Sequence, residues 1–458
     1  MRIILVGAGV VGFHLAERLS VEGHDISVID SNPELVRRID EKMDVLAIAG
    51  DAATPSVLRR AEVENADLVI AVTDRDTTNL VVSLVARRMG AKKRIVRVRN
   101  AEFSSNNTVL SHEDLGADFI INPVETTANL LERLIRNPGA TDVAEFADGD
   151  LLLWGFRVPA GSALVGVQLK DLREQYSGSI RALIVAITRP DGSMVIPRGE
   201  DAILEGDIIY VFIHRKATGE FRRLVQPEEK RVERLVISGA TPLGIKVARR
   251  LEGRVKKCVL VDASRERAEK ASEALGKTLV LCGDIVDSDF SREYDLGNTD
   301  YFLALTDDDQ TNLMNSLLLK KQGARRIAVQ AQRPQFLPVL QSLGIGVIVT
   351  PRLLTVNAIL RHIRRGRILH VSQIGESGAE AREYEATRAS PVVGKPIREV
   401  KVPQGAIIGA IFRREAFMIP DGDSEVKVGD HVVIFALPEA MEGIERLFAR
   451  RKAKSRDR

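Results

Sequence analysis

Hydrophobic positions follow two rhythms along the first 121 residues. Short aliphatic runs at 2–6 (RIILV), 26–30 (ISVID), 45–49 (VLAIA), 68–72 (LVIAV), 95–99 (IVRVR) and 119–121 are bounded by turn residues. Between them, 11–21, 33–42, 54–62 and 77–90 are amphipathic at helical spacing. Apolar strands alternating with amphipathic helices predict βαβ units and a doubly wound parallel sheet. Residues 151–225 read differently. Short strands punctuated by Pro159, Gly161, Pro190-Asp191-Gly192 and Gly206-Asp207 predict a small α+β module.

The whole pattern occurs twice. Gly7, Gly12 and Asp30 recur as Gly239, Gly244 and Asp262, each 232 residues later. Gly50-Asp51, Thr73-Asp74 and Asn79 recur 233 later, as Gly283-Asp284, Thr306-Asp307 and Asn312. Pro123 and Asn129 return as Pro351 and Asn357, shifted by 228. In the small module, Ile196-Pro197 and Gly206-Asp207 match Ile419-Pro420 and Gly429-Asp430, shifted by 223. Landmarks in one order with drifting offsets mark a tandem duplication. The expected fold class is α/β: two Rossmann-like doubly wound parallel-sheet domains, each followed by a small α+β module. Expected boundaries are 1–140, 141–226, 232–370 and 371–450, with a basic tail at 451–458. Segments 140–150 and 370–390 read as joints, and 224–231 as the link between halves.

Composition narrows the class. Hydrophobic residues make up 45% and aromatics only 4%, so aliphatic side chains do the packing. Lys plus Arg (66) nearly balance Asp plus Glu (63), which argues against nucleic-acid binding. Basic clusters at 361–367 and 450–458 read as a solvated helix end and a frayed terminus, or as a weak attraction to an anionic membrane surface. The two cysteines, Cys258 and Cys282, fall in apolar strands with no ligand spacing, which fits a reducing cytosol. Met1 leads straight into a strand, so no signal peptide is expected. No apolar run approaches the length of a membrane span.

The candidate chemistry is binding. Gly7-Ala8-Gly9-Val10-Val11-Gly12 lies between a strand and a helix. There Gly7 permits the tight turn, Gly9 lets a pyrophosphate approach the backbone, and Gly12 lets helix and strand pack. The phosphates would meet free N–H groups at the helix start. Asp30 ends the second strand, where a carboxylate holds ribose hydroxyls and repels a 2′-phosphate, so NADP is disfavoured. Asp51, Ala52, Thr73 and Asp74 follow the third and fourth strands toward the same crevice. Arg97 and Arg99 alternate along the fifth, either to meet a terminal phosphate or to form salt bridges at a subunit contact.

The second loop, Gly239-Ala240-Thr241-Pro242-Leu243-Gly244, has Thr241 where the second glycine should be. Its Cβ would obstruct a pyrophosphate, and Pro242 lacks an N–H. Positions 97 and 99 become Gln330 and Gln332, while Asp262, Asp284, Thr306 and Asp307 persist. Ligand binding in this half is left open. None of the seven histidines joins a catalytic constellation; His14 follows the glycine loop and reads as a packing residue or a phosphate neighbour. No GxSxG, HExxH or Walker lysine appears, so no enzyme is expected.

These residues carry a resemblance. GAGVVG, the VID strand end, GDAATPSVLRRAEVENADLVIAVTDRDTTN and IVRVRN resemble an RCK (KTN) nucleotide-binding domain. VGKPIREV with GAIIGAIFRREAFMIPDGDSEVKVGDHVVIF looks like the RCK-C module. Two such pairs resemble the TrkA family, peripheral subunits of Trk-type potassium uptake systems. The resemblance implies a homo-oligomeric ring, a tetramer, on the cytoplasmic face of a membrane-embedded TrkH/TrkG-like potassium-translocating partner. It implies NAD, NADH, ADP or ATP as ligand, held by Gly7, Ala8, Gly9, Val10, Val11, Asp30, Thr73, Asp74 and Arg97 or Arg99. Rival readings are an RCK regulator of another cation channel or antiporter, an NAD-dependent dehydrogenase, and a cyclic dinucleotide site in the small modules.

Overall fold

The computed structural model describes residues 1–103, 110–176, 182–225, 231–333, 336–363, 368–374, 378–413 and 416–448. Residues 364–367 of the first basic cluster, the tail 450–458 and 226–230 of the link lie outside them. The first sheet comprises β1 (Arg2–Val6), β2 (Asp25–Asp30), β3 (Leu46–Ala49), β4 (Leu68–Ala71), β5 (Arg94–Arg97) and β6 (Phe119–Ile121). They pair in parallel in the order β3-β2-β1-β4-β5-β6. Helices α1 (Val10–Val21), α2 (Pro33–Asp40), α3 (Pro55–Arg60), α4 (Asp76–Arg88) and α5 (Pro123–Arg136) connect and follow them. Strands β1 and β4 are buried nearly throughout, as expected of a parallel sheet covered on both faces. The order reverses between β1 and β4, so the crevice opens at their carboxyl ends.

The small module that follows has β7 (Ala140–Phe146), β8 (Leu151–Arg157), α6 (Leu169–Tyr176), β9 (Ala182–Thr188), β10 (Met194–Val195), β11 (Ile208–His214) and α7 (Thr218–Val225). Residues 140–150, expected as a joint, form the edge strand β7 and a 3-10 turn. Val143 and Phe146 bury there, so the segment belongs to the module's core.

The second half repeats the first. Its parallel sheet is built from β12 (Arg234–Ser238), β13 (Lys257–Asp262), β14 (Leu279–Cys282), β15 (Tyr301–Ala304), β16 (Ile327–Gln330) and β17 (Val347–Val349), in the order β14-β13-β12-β15-β16-β17. Its helices are α8 (Pro242–Leu251), α9 (Arg265–Ala274), α10 (Ser288–Glu293), α11 (Asp309–Gln322), α12 (Leu337–Ser342) and α13 (Pro351–Ile363). The second module has β18 (Ile368–Ile374), β19 (Ala379–Glu385), β20 (Ala406–Arg413), β21 (Ala416–Met418), β22 (His431–Ala436) and α14 (Met441–Phe448). The other expected joint, 370–390, is thus largely the antiparallel pair β18–β19.

The chain divides into two compact units that interleave in sequence: 1–132 with 233–363, and 133–232 with 364–458. In the first unit the two Rossmann halves exchange their last helices. Val356, Ile359 and Leu360 of α13 enter the first half's core beside Ile3, Leu15 and Val28. His362, near the end of α13, stacks on Phe119 at the start of β6 with ring centroids 4.2 Å apart. Helix α13 therefore runs antiparallel to β6, with its N-terminus at the carboxyl edge of the first sheet. Reciprocally, α5 is tied to α8: Glu125 pairs with Lys246 at 2.7 Å and with Arg250, and Glu132 pairs with Arg250 and Arg254.

In the second unit the two modules share a core that includes Phe146, Tyr210, Phe212, Ala381, Val433 and Phe435. The repeated Gly-Asp turns have one cause. Gly206 and Gly429 take φ of 82° and 86°, which a glycine adopts without strain. The buried carboxylates of Asp207 and Asp430 then accept from backbone N–H groups of the same turn and from Arg189 and Arg413.

Candidate functional site

The first crevice is assembled from five turns. Gly7 has φ of 106°, and a Cβ there would lie 2.9 Å from the Thr73 nitrogen, so the glycine loop presses on the β4–α4 turn. A Cβ at Gly12 would lie 1.7 Å from the Gly7 carbonyl oxygen. A Cβ at Gly9, by contrast, would meet nothing within 4 Å. Gly9 is also the N-cap of α1, and neither a capping side chain nor an acidic residue serves that first turn. An open cradle at an uncapped helix start fits a phosphate.

Asp30 is fixed at the end of β2. Its carboxylate accepts from the N–H of Ala8 at 2.6 Å and of Asn32 at 2.8 Å. No cation pairs with it among the described residues. Asp51 is exposed and caps its own turn by accepting from Ala53 N–H, and Ala52 is buried against the core. Val10 and Val11 start the helix, with Val11 buried beneath it.

Thr73 and Asp74 are held by a residue that the sequence showed only as a repeat landmark. Asn79, fully buried, accepts from the Thr73 N–H and hydroxyl at 2.9 and 2.7 Å, and donates to the carbonyls of Thr73 and Arg97. Asp76, also missed, accepts from the N–H groups of Arg99 and Asn100. Together they pin the β4–α4 turn to the end of β5. The recurrence of Asn79 as Asn312 is the signal that could have found this clamp, because Asn312 makes the same bonds.

Strand β5 ends at Arg97, so Arg99 lies beyond it rather than along it. Both guanidinium groups nevertheless point toward the same turn, Arg97 toward the carbonyls of Val72 and Thr73 and Arg99 toward that of Asp74. Burial pulls the Arg97 guanidinium below its ordinary pKa, and the nearby Arg99 and Arg352 add to the effect against Asp76 and Asp74. His14 sits apart, its ring 3.5 Å from the Glu17 carboxylate on the surface of α1.

The second crevice keeps the frame and fills it. Gly239, Ala240 and Gly244 repeat the loop geometry, Leu243 is buried, and Asp262 accepts from Ala240 N–H at 2.7 Å. Thr306 and Asp307 occupy the β15–α11 turn, and Asp284 caps its own turn on Val286. Two side chains differ decisively. The Thr241 hydroxyl accepts from Gly244 N–H and donates to the Leu305 carbonyl, so it caps α8 itself. Arg267 of α9 grips Asp262 through three hydrogen bonds of 2.8–3.1 Å. Burial opposes ionisation of Asp262, yet Arg267 and the Ser264 and Ala240 N–H groups hold its carboxyl below the usual range.

Among the described residues no helix is long and apolar enough to cross a membrane, and no group of three His, Cys, Asp or Glu could hold a metal ion. Fold and site define a duplicated Rossmann protein whose first crevice keeps an open glycine cradle and whose second is filled by its own side chains. TrkA-N domain matches cover residues 3–123 and 235–351, and TrkA-C domain matches cover 154–226 and 381–449. The chain belongs to the TrkA family. It is 33% identical over 453 residues to the Trk system potassium uptake protein TrkA of Azorhizobium caulinodans, with 98% of each chain covered. It is 35% identical to the protein of that name from Vibrio alginolyticus, again with 98% of each chain covered. The fold also matches a solved structure of the GsuK channel bound to NAD, with a TM-score of 0.62 at 18% identity, over 98% of this chain and 78% of that one.

Proposed function

We propose that this chain is a nucleotide-binding regulatory subunit of a potassium uptake system. In this reading it is a ring-forming homo-oligomer, docked on the cytoplasmic face of a membrane-embedded TrkH/TrkG-like potassium-translocating partner. The observation that carries the proposal is the first crevice, where the open Gly9 cradle, the uncapped α1 and the fixed Asp30 carboxylate stand in line. The full-length relatives named for Trk potassium uptake supply the system. The NAD-bound channel of like fold supports a nucleotide ligand on these sheets.

The binding residues are Gly7, Ala8, Gly9, Val10, Val11, Gly12, Asp30, Thr73, Asp74, Arg97 and Arg99. Asp30 favours a free 2′-hydroxyl, so NAD, NADH, ADP and ATP are admitted and NADP is disfavoured. The groups converging on the crevice are backbone N–H donors, the carboxylates of Asp30 and Asp74, and the guanidinium groups of Arg97 and Arg99. These groups suit holding a ligand, and in this reading the chain acts as a switch rather than an enzyme. Control of flux requires a ligand that binds two states of the assembly unequally.

The test is ion flux. Vesicles carrying the membrane partner are loaded with this chain, and rubidium uptake is followed with and without nucleotide. Uptake that responds to nucleotide with wild type, and not with Asp30→Ala, supports the proposal. Uptake indifferent to the chain and to nucleotide contradicts it.

A further inference from the structure

The two helix exchanges within the first unit are held by different forces. Helix α13 is seated on the first half through Val356, Ile359 and Leu360, buried in one core with Leu15, Leu19 and Val28. Helix α5 buries Ala128 and Leu131 as well, but it also meets α8 along a stripe of charge. Glu125, Asn129 and Glu132 share one face of α5. Lys246 and Arg250 share one face of α8, and Arg254 follows just past its end. Glu125 pairs with Lys246 at 2.7 Å and with Arg250. Arg250 also donates to Asn129 at 2.5 Å and reaches Glu132 at 3.4 Å, and Arg254 pairs with Glu132.

The repeat shows that the fold does not require these charges. By the 228-residue offset Glu125 and Glu132 correspond to Leu353 and Leu360 of α13. By the 232-residue offset Lys246, Arg250 and Arg254 correspond to His14, Arg18 and Glu22. The same exchange is thus made with leucines in one half and with carboxylates facing cations in the other.

Such a contact is open to screening. Even Arg250 and Glu132, at the centre of the network, keep 20% and 18% of their side-chain surface in solvent. Partly exposed ion pairs weaken as salt rises, because the screening length shrinks from about 10 Å at 0.1 M toward about 3 Å at 1 M. Burial of aliphatic surface carries no charge to screen. Without the α5 carboxylates, Lys246 and Arg250 are like charges four residues apart on one helix, which disfavours α8 itself.

We propose that the α5–α8 contact is an ionic-strength-sensitive latch, the salt-responsive one of the two exchanges. Salt that accumulates around the chain loosens α5 from α8 and leaves α13 in place. This role rests on the potassium-uptake reading: potassium and its counter-ions are what such a system accumulates, so the latch feeds uptake back onto the subunit. The device reads total ionic strength, with no site for a particular ion.

The experiment is hydrogen exchange of the full chain, followed by mass spectrometry on peptides from α1, α5, α8 and α13. Salt is raised from about 0.05 to about 0.5 M, a range over which exposed pairs lose most of their attraction. Exchange in α5 and α8 should quicken at least about threefold relative to α1 and α13. KCl and NaCl should act alike, and sucrose at equal osmolality should not act. In Glu125→Gln, Glu132→Gln exchange of α5 should already be fast at low salt and gain nothing more from it; Glu125→Gln alone should fall between. Equal salt responses in α5 and α13, or a wild-type response kept by the double variant, overturn the inference. So does KCl acting where NaCl does not, which would mean a bound ion. Exchange needs no membrane partner, so the latch is judged apart from the transport reading. In the vesicle assay, uptake that depends on the chain should respond to salt on the chain's side in wild type and not in the double variant. Chain-dependent uptake with the same salt response in both overturns the feedback role, whereas uptake indifferent to the chain overturns the transport reading and the feedback with it.

Discussion

Arg267 holds the carboxylate of Asp262 in a fork of three hydrogen bonds, where the equivalent position of the first half is Leu35, packed against the hydrophobic core. One substitution at an equivalent position thus separates a carboxylate presented to a ligand from one consumed by the protein. Thr241 acts in parallel, since its hydroxyl supplies the cap that a phosphate would supply at α1. The second crevice is satisfied from within. Wild type should therefore bind one nucleotide per chain, and the double variant Thr241→Gly, Arg267→Leu should show a second binding step. Calorimetric stoichiometry measures both, and two equal sites in wild type would contradict the account.

The same ion pair gives a pH dependence. The folded-state pKa of Asp262 is depressed, so its contribution to stability is present above the ordinary carboxylate value. It is lost as pH falls through the depressed folded value. Arg267→Leu leaves a buried carboxylate without its cation, which costs most when that carboxylate is charged. The melting temperature of Arg267→Leu should fall furthest below wild type near neutral pH, and the gap should close below about pH 4. A gap independent of pH would show that Arg267 acts through packing alone.

The glycine loop should separate binding from folding. Gly12→Ala forces a Cβ onto the Gly7 carbonyl and should cost about 1–3 kcal/mol or more in denaturant unfolding. Gly9→Thr meets open space, so its stability should change by less than about 1 kcal/mol. Its nucleotide affinity should nevertheless collapse, because the side chain fills the cradle as Thr241 does. Retained binding in Gly9→Thr would place the phosphates elsewhere.

Asn79 should behave as a structural clamp with a functional consequence. Asn79→Ala leaves several buried backbone groups unpaired and should destabilise by about 2–4 kcal/mol. It also frees the β4–α4 turn from the end of β5, so nucleotide affinity should drop even in the fraction that remains folded. Unfolding curves and titrations at low temperature check the two effects separately.

The thiols offer a simple check on the second sheet. Burial pushes the Cys258 thiol up to about 11, whereas Cys282 is exposed at the end of β14. One thiol per chain should react with an aromatic disulfide reagent at mildly alkaline pH, and the second only on unfolding. The sequence placed both cysteines in apolar strands, where the structure has them; which one lies on the exposed side of an edge strand is not distinguishable from runs of apolar residues.

Much of the fold was legible because parallel strands are short aliphatic runs and the duplication supplied each landmark twice. The placement of Asp30 and the glycine loop was legible for a similar reason, since it depends on local strand–turn–helix geometry. Tertiary choices were not. Nothing in the spacing of Pro351, Val356 and Leu360 says that α13 covers the first half's core rather than its own. Arg267 was hidden as well, because a helix position facing Asp262 is fixed only by packing. The joint expected at 140–150 failed for the same reason: its apolar residues pair as an edge strand with β8.

The central claim is that the first crevice takes a nucleotide with a free 2′-hydroxyl through Asp30. The most direct test is a titration of the purified chain with ATP, ADP, NADH and NADPH, repeated with Asp30→Ala. The account predicts binding of at least one of the first three, weaker binding of NADPH, and loss of binding in the variant. NADPH binding as tightly as NADH, or Asp30→Ala binding unchanged, would contradict it.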